Sequence, residues 1–340
     1  MEKKYGRRSF INTAVAGGIG LGLSGSLSSL YAQDGAPQKR IGIIGLDTSH
    51  SIAFTKALNA SGSAPELKGY KVVAAYPKGS NDIESSVKRI PGYTEEVKKL
   101  GVEIVSSIKE LLKKTDFILL ETNDGRLHLQ QALEVIKAGK PVFIDKPVAA
   151  SLKDAVAIFK AAEQRKVPVF SSSSLRFMQS AQEVAKGKVG KVLGADCYSP
   201  AHLEKTHPDL FWYGIHGVET LYTVMGTGCK QVVRLHTNDT DVVAGTWEDG
   251  RIGTFRGTRS GKSGYGGTVF GENATTVLGP FDGYNALLVQ IIAFFETGIP
   301  PVSSKETLEI CAFMEAADES KNKGGVPVSL EEMMRRAAMI

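Results

Sequence analysis

Lys146 and the pair His216 and Glu219 have the residue types and settings that suit proton chemistry. In "FIDKPVA" Lys146 follows an apolar run and precedes a proline, which restricts the backbone and helps aim the side chain. A lysine so placed can hydrogen-bond a hydroxyl and stabilise the charge that grows as that hydroxyl loses its proton. In "WYGIHGVETLYTVMG" His216 and Glu219 are three apart, so a helix puts both on one face. A carboxylate beside an imidazole raises its basicity and suits a general base near neutral pH. Each has a plainer reading: a solvated lysine paired with Asp145, and a core histidine satisfied by a carbonyl.

Such residues need a scaffold, and the pattern from Lys39 onward supplies one. "RIGIIG", "YKVVAAY", "DFILLET", "KPVFID" and "VPVFSSSS" read as strands, separated by amphipathic stretches such as "SIAFTKALNA" and "LHLQQALEVIKAG". This alternation predicts an α/β domain, a Rossmann-type doubly wound parallel sheet, over residues 39–174. Beyond it, "KVLGADCYS", "CKQVVRLHTN", "DVVAGTWED" and "RIGTFRGTR" alternate apolar and polar residues between turns. They predict an α+β domain over 175–340 with a large, mostly antiparallel sheet. Ligands of a parallel sheet bind beyond its carboxyl ends, which selects the turn at 45–50, Tyr76 to Ser80, Glu121 to Asp124, Asp145 to Pro147 and Ser171 to Arg176.

The first of these turns, "GLDTSH", departs from the dinucleotide fingerprint. Glycine is expected at its first, third and sixth positions, which here hold Gly45, Asp47 and His50. A carboxylate at 47 repels phosphate unless it turns away to cap the next helix, where Thr48 and Ser49 also offer caps. Free N–H groups at that helix start still favour an anion. After the second strand, where an acidic residue commonly meets the adenosine ribose, Lys78 and Ser80 stand instead and tilt the reading toward NADP over NAD. A solvated turn explains them equally well.

The stretch "TNDGRLHLQQALEVIKAGKPVFIDKPVA" resembles a segment of the Gfo/Idh/MocA oxidoreductases, the group of glucose-fructose oxidoreductase and inositol dehydrogenase. "SSSSLRF" and "GIHGVETLYTVMG" are similar to the strand and helix that follow in that family. The resemblance implies an NAD(P)-dependent enzyme acting on a hydroxyl of a sugar, glycoside or cyclitol. Lys146 and His216 would flank the reactive carbinol, with Glu219 orienting His216 as the family's aspartate does. Thr122, Asn123, His128 and Asp145 would lie on the cofactor side with Lys146, and Arg176 would meet the substrate. Assembly as a homodimer or homotetramer through the open sheet face is also implied. The altered turn keeps two alternatives open: a cofactor-free sugar lyase or hydratase, and a non-catalytic carbohydrate binder.

Trp212 is an aromatic platform candidate for sugar rings, and His202 and His207 are further polar contacts in "PAHLEKTHPDLFWYG". Their spacing matches no zinc signature, so no metal is expected. The net charge of +5 is small for 340 residues and concentrates partly in the first eight, which argues against a nucleic-acid partner. Three widely spaced cysteines give neither a metal motif nor a disulfide framework. Residues 1–38, with Arg7, Arg8, Ser9, Phe10 and a glycine-rich apolar stretch, read as a twin-arginine export signal and linker, hence a periplasmic location without a stable membrane span. That route carries folded proteins, which fits a tightly held cofactor and a redox-neutral cycle.

Overall fold

The computed structural model describes residues 39–262 and 264–339; the segment expected to direct export lies outside them. Six short apolar runs form the first sheet: β1 (Arg40–Ile44), β2 (Lys71–Tyr76), β3 (Glu103–Ile104), β4 (Phe117–Leu120), β5 (Val142–Asp145) and β6 (Val169–Ser172). Their order is β3-β2-β1-β4-β5-β6 and every pairing is parallel. β4 and β5 are buried at every residue, as a sheet covered on both faces requires. The strand order reverses between β1 and β4, which opens the crevice at their carboxyl ends.

Helices α1 (Ser49–Asn59), α2 (Glu84–Lys99), α3 (Ile108–Lys114), α4 (Gly125–Lys137) and α5 (Leu152–Arg165) make the crossovers. Side-chain caps start four of them: Thr48, Ser107, Asp124 and Ser151 each accept a backbone N–H, which typically contributes ~1 kcal/mol per helix. α2 is twice as long as "TEEVKKLG" suggests and holds Pro91 near its middle. Amphipathic packing overrides the proline there.

The second sheet has seven strands: β7 (Val192–Pro200), β8 (Cys229–His236), β9 (Thr240–Trp247), β10 (Ile252–Thr258), β11 (Gly266–Gly271), β12 (Thr275–Leu278) and β13 (Val328–Ser329). Its order is β12-β11-β7-β10-β9-β8-β13, antiparallel throughout except where β7 meets β10. One face, with Val243, Phe255 and Val269, is buried under α6 (Gln179–Ala185), α7 (Ile215–Met225) and their neighbours. Alternate positions turn Tyr198, Leu235, Ile252, Phe270 and Val277 outward.

α8 (Asn285–Thr297) returns from the later part of the chain to the first sheet. Its Leu287, Leu288, Ile291, Ile292, Phe294 and Phe295 join Ile41, Ile43 and Phe117 in one apolar cluster, each contributing about 1.5–3 kcal/mol of burial. α9 (Ser304–Asn322) and α10 (Leu330–Ala338) pack between α5 and β8. Cys197, Cys229 and Cys311 are buried free thiols. Among the described residues no helix is long and apolar enough to cross a membrane.

Candidate active site

A cavity of ≈ 150 Å³ opens at the carboxyl ends of the first sheet. Thr48, Ser49 and His50 border it from the start of α1, Asn123 from the turn after β4, and Lys146 from the end of β5. His216 enters from α7 on the opposite side. Residues separated by up to 168 positions in the chain thus meet around one space, and six of the expected site residues do so.

Lys146 is nearly buried, with Nζ 3.4 Å from Asp145 Oδ2. Burial pulls its pKa down, but Asp145, aided by Tyr213 and Glu121, more than offsets that, so the ammonium form is favoured. His216 takes the opposite direction. Burial, then Lys146 and His50, push its pKa well below the usual histidine value, so it is a neutral imidazole at ordinary pH. Its Nδ1 lies 2.8 Å from Ser173 Oγ; in the tautomer in which Nδ1 donates to that hydroxyl, Nε2 is the proton acceptor. A cation that polarises and a neutral base that accepts a proton therefore line the same cavity.

Glu219 does not orient His216. Its Oε1 accepts from Arg176 Nε and from Ser172 Oγ, both at 2.7 Å, because the guanidinium outcompetes an imidazole for a buried carboxylate. Arg176 is correspondingly no substrate contact: it is buried between Glu219 and Glu306. The serine run supplies the orienting group instead, through Ser173. His207 also lies outside the cavity lining, its side chain buried with Nε2 3.3 Å from Asp124 Oδ1. Trp212 packs on the His207 ring rather than lining the cavity. His202 is exposed, its ring 5.3 Å from that of Tyr213 at the cavity rim.

The turn at 45–50 resolves into separate tasks. Gly45 has φ +88° and a Cβ there would meet Thr122 N at 2.5 Å, so glycine serves the crossing of two loops. Asp47 turns away from the cavity and caps nothing on α1, which Thr48 caps. Its Oδ1 accepts from Asn123 N at 3.0 Å, while Oδ2 lies so close under Gly79 that a Cβ there would be 2.0 Å away. Burial raises its pKa. His50 does not pack like the glycine it replaces: its Nδ1 is 3.0 Å from Asp145 Oδ1 and its ring lies 4.5 Å from that of Tyr284.

Of the remaining cofactor candidates, His128 is structural, its ring held between the carbonyls of Thr122 and Pro147 at 2.7 and 3.0 Å. Ser80 is buried and donates to Asp82, and Lys78 is exposed beyond the cavity. Arg126 bonds Asp82 and Asp124 and so spans the two loops flanking the adenosine end of the crevice. That pairing commits the hydroxyl read as a 2′-phosphate contact to an aspartate.

Several residues that line the cavity carried no sequence signal. Arg89, an ordinary exposed arginine on α2, borders it and donates to Asp47 O. Tyr213, Tyr265, Phe281 and Tyr284 form a connected aromatic wall, with adjacent ring centroids 5.6–5.9 Å apart from Tyr265 to Tyr284 and the Tyr213 and Tyr265 hydroxyls 2.9 Å apart. Only Tyr213, three residues before His216, was accessible to a helical-spacing argument.

Residues 39–173 match the model of the Gfo/Idh/MocA oxidoreductase family, described as an NAD-binding Rossmann fold. Among curated proteins, a 1,5-anhydro-D-fructose reductase of Ensifer adhaerens is 31% identical over 109 residues, 29% of this chain and 33% of that protein. The match therefore spans one third of that relative's length. A probable dehydrogenase from Thermotoga maritima superposes with a TM-score of 0.71 at 20% identity, covering 86% of this chain and 99% of that one. Scyllo-inositol dehydrogenase from Lactobacillus casei, solved with NAD(H) and scyllo-inositol, superposes at 0.69 with 17% identity, covering 86% and 99%. The fold of these two structures thus extends over both sheets.

The residues at the crevice suit a nicotinamide dinucleotide at one end better than at the other. The free N–H groups opening α1, together with Arg89, suit a pyrophosphate. Asp47 no longer opposes it, being turned beneath Gly79. At the adenosine end Arg126 is paired with Asp82, a solvent-exposed pair that a nucleotide would have to displace.

Proposed function

We propose that the protein is a nicotinamide-dependent oxidoreductase acting on a secondary hydroxyl of a sugar, glycoside or cyclitol. The observation that carries this reading is the meeting of Lys146 and His216 in one cavity walled by aromatic rings at the carboxyl end of the family's sheet. Aromatic faces suit the apolar faces of pyranose and cyclitol rings. Lys146 would hold the reacting hydroxyl and stabilise its developing charge, and neutral His216 would take the proton through Nε2. When bound, the nicotinamide would accept hydride from the carbinol carbon. Thr48, Ser49 and Arg89 would hold its pyrophosphate, and Asn123 would border it.

The commitment of Ser80 to Asp82 supports NAD over NADP as the nucleotide, reversing the tilt of the sequence. The twin arginines at 7 and 8 support a redox-neutral cycle on an exported protein, since a nucleotide held through export is best restored within the site. Mass spectrometry of the full chain, denatured after purification, tests the reading: it should release NAD(H) stoichiometrically, or take it up on addition. No nucleotide in either experiment would leave Lys146 and His216 with proton transfer alone, the chemistry of a lyase.

The outward face of the second sheet supports self-association. Tyr198, Leu235, Ile252, Phe270 and Val277 are each more than two-fifths exposed on that face. Ile252→Lys should shift the light-scattering mass toward one chain; an unchanged mass would remove this face as the interface.

A further inference from the structure

Three side chains beneath the cavity are arranged as a ligand set. His50 Nδ1, a Glu121 carboxylate oxygen and an Asp145 carboxylate oxygen lie within 4.8 Å of one another, and all three residues are buried. The His50 nitrogen is 3.0 Å from Asp145 Oδ1 and 3.9 Å from Glu121 Oε2. Donor atoms around a tetrahedral ion with bonds of about 2.0 Å stand roughly 3.3 Å apart, between those two values. Three elements supply the set, the ends of β4 and β5 and the first turn of α1, so it sits on rigid structure.

Independent of this spacing, Glu121 Oε1 is buried without a hydrogen-bond partner, as is the Thr122 hydroxyl beside it, and Asp145 Oδ2 makes no hydrogen bond beyond its ion pair with Lys146 Nζ at 3.4 Å. Glu121 has no exposed side-chain surface and Asp145 has 1%. Two buried carboxyl groups share this site with one neighbouring cation, Lys146, and buried polar and charged groups are normally paired or bound to metal. We propose that His50, Glu121 and Asp145 bind one divalent transition-metal cation, such as zinc, at the floor of the cavity.

His50 also lines the cavity, so the ion's remaining position faces the space shared with Lys146 and His216. A sugar hydroxyl or a water molecule is the ligand such a position takes. The proposal goes beyond the oxidoreductase reading and does not rest on a nucleotide.

The test uses the full, tag-free chain, stripped with a chelator and freed of nucleotide. It is dialysed against Zn²⁺ alone, and metal is measured by mass spectrometry. About one equivalent per chain is expected, with His50→Asn and Glu121→Gln each reducing it by tenfold or more. His207→Asn, at the buried histidine beside Asp124, should retain the equivalent. Circular dichroism checks that each variant is folded, and the visible spectrum with Co²⁺ should report a tetrahedral ion in the parent alone. Absence of metal from the parent, or retention by both ligand variants, overturns the proposal. Since nucleotide release is measured separately, either result stands apart from the reading of the enzyme's function.

Discussion

Two of the clusters of buried charge among the described residues are built to opposite rules. Around Arg234, three cations face three carboxylates: Arg234, Arg259 and Lys321 against Asp209, Asp241 and Asp318. Arg234 donates to Asp241 through Nε and Nη2 at 3.0 and 2.8 Å and to Asp209 at 2.9 Å, tying β8 to β9, to α9 and to the loop before α7. One oxygen, Asp318 Oδ2, lacks a partner, and burial pushes that carboxyl up to about 7 despite Arg234. At the ends of β4 and β5 the balance fails. Glu121 and Asp145 face Lys146, several polar atoms are orphaned, and burial followed by Asp145 drives Glu121 well above the carboxylate range. Saturated charge holds strands together, while unsatisfied polar groups beneath a crevice are poised to meet a ligand.

The contrast is tested most strongly at Lys146. Lys146→Ala should lower kcat by about 10²–10⁴-fold on a substrate found by screening, while the urea midpoint moves little. Near-parental turnover would show that unbalanced charge here is incidental. Arg234→Ala should behave inversely, costing about 3–5 kcal/mol in urea unfolding because it strands carboxylates, with the turnover per folded molecule retained. A loss below ~1 kcal/mol would make the saturated cluster ornamental.

A finer distinction comes from pH. With the His216 pKa depressed in the folded state, unfolded chains bind a proton below about 6.5 that folded chains refuse. Its contribution to stability is therefore complete above that pH and is lost as pH falls toward the depressed value. His216→Asn should shrink the fall in Tm between about pH 7.5 and 5.5, and the parent's kcat/KM should hold down to about pH 6. A rate that titrates with a midpoint near 6.5 would mean that His216 is not the base.

The alternation of strands and helices up to Ser172 was legible because burial of a parallel sheet on both faces leaves nearly continuous apolar runs. Lys146 and His216 carried only local hints, a strand end before proline and a glycine-flanked helix start, which left plainer readings open; the family resemblance is what set the two side by side. The partner of Glu219 was not. Spacing three apart states which side chains share a face, and the arginine that wins the carboxylate comes from 43 residues earlier. Likewise Asp47 offered two directions and took a third, because Gly79 leaves room for its carboxylate under a neighbouring loop.

By itself, then, the chain's sequence determined the two kinds of sheet, the order of crossovers and which residues sit at strand ends, since these follow from periodicity and chain direction. Tertiary structure alone decided which polar groups are paired and which are left unpaired. Packing set His50 against Asp145 across 95 residues and assembled the aromatic wall from distant segments of the chain. Pairing of buried charge depends on distances between segments, and no local pattern of residues encodes those distances.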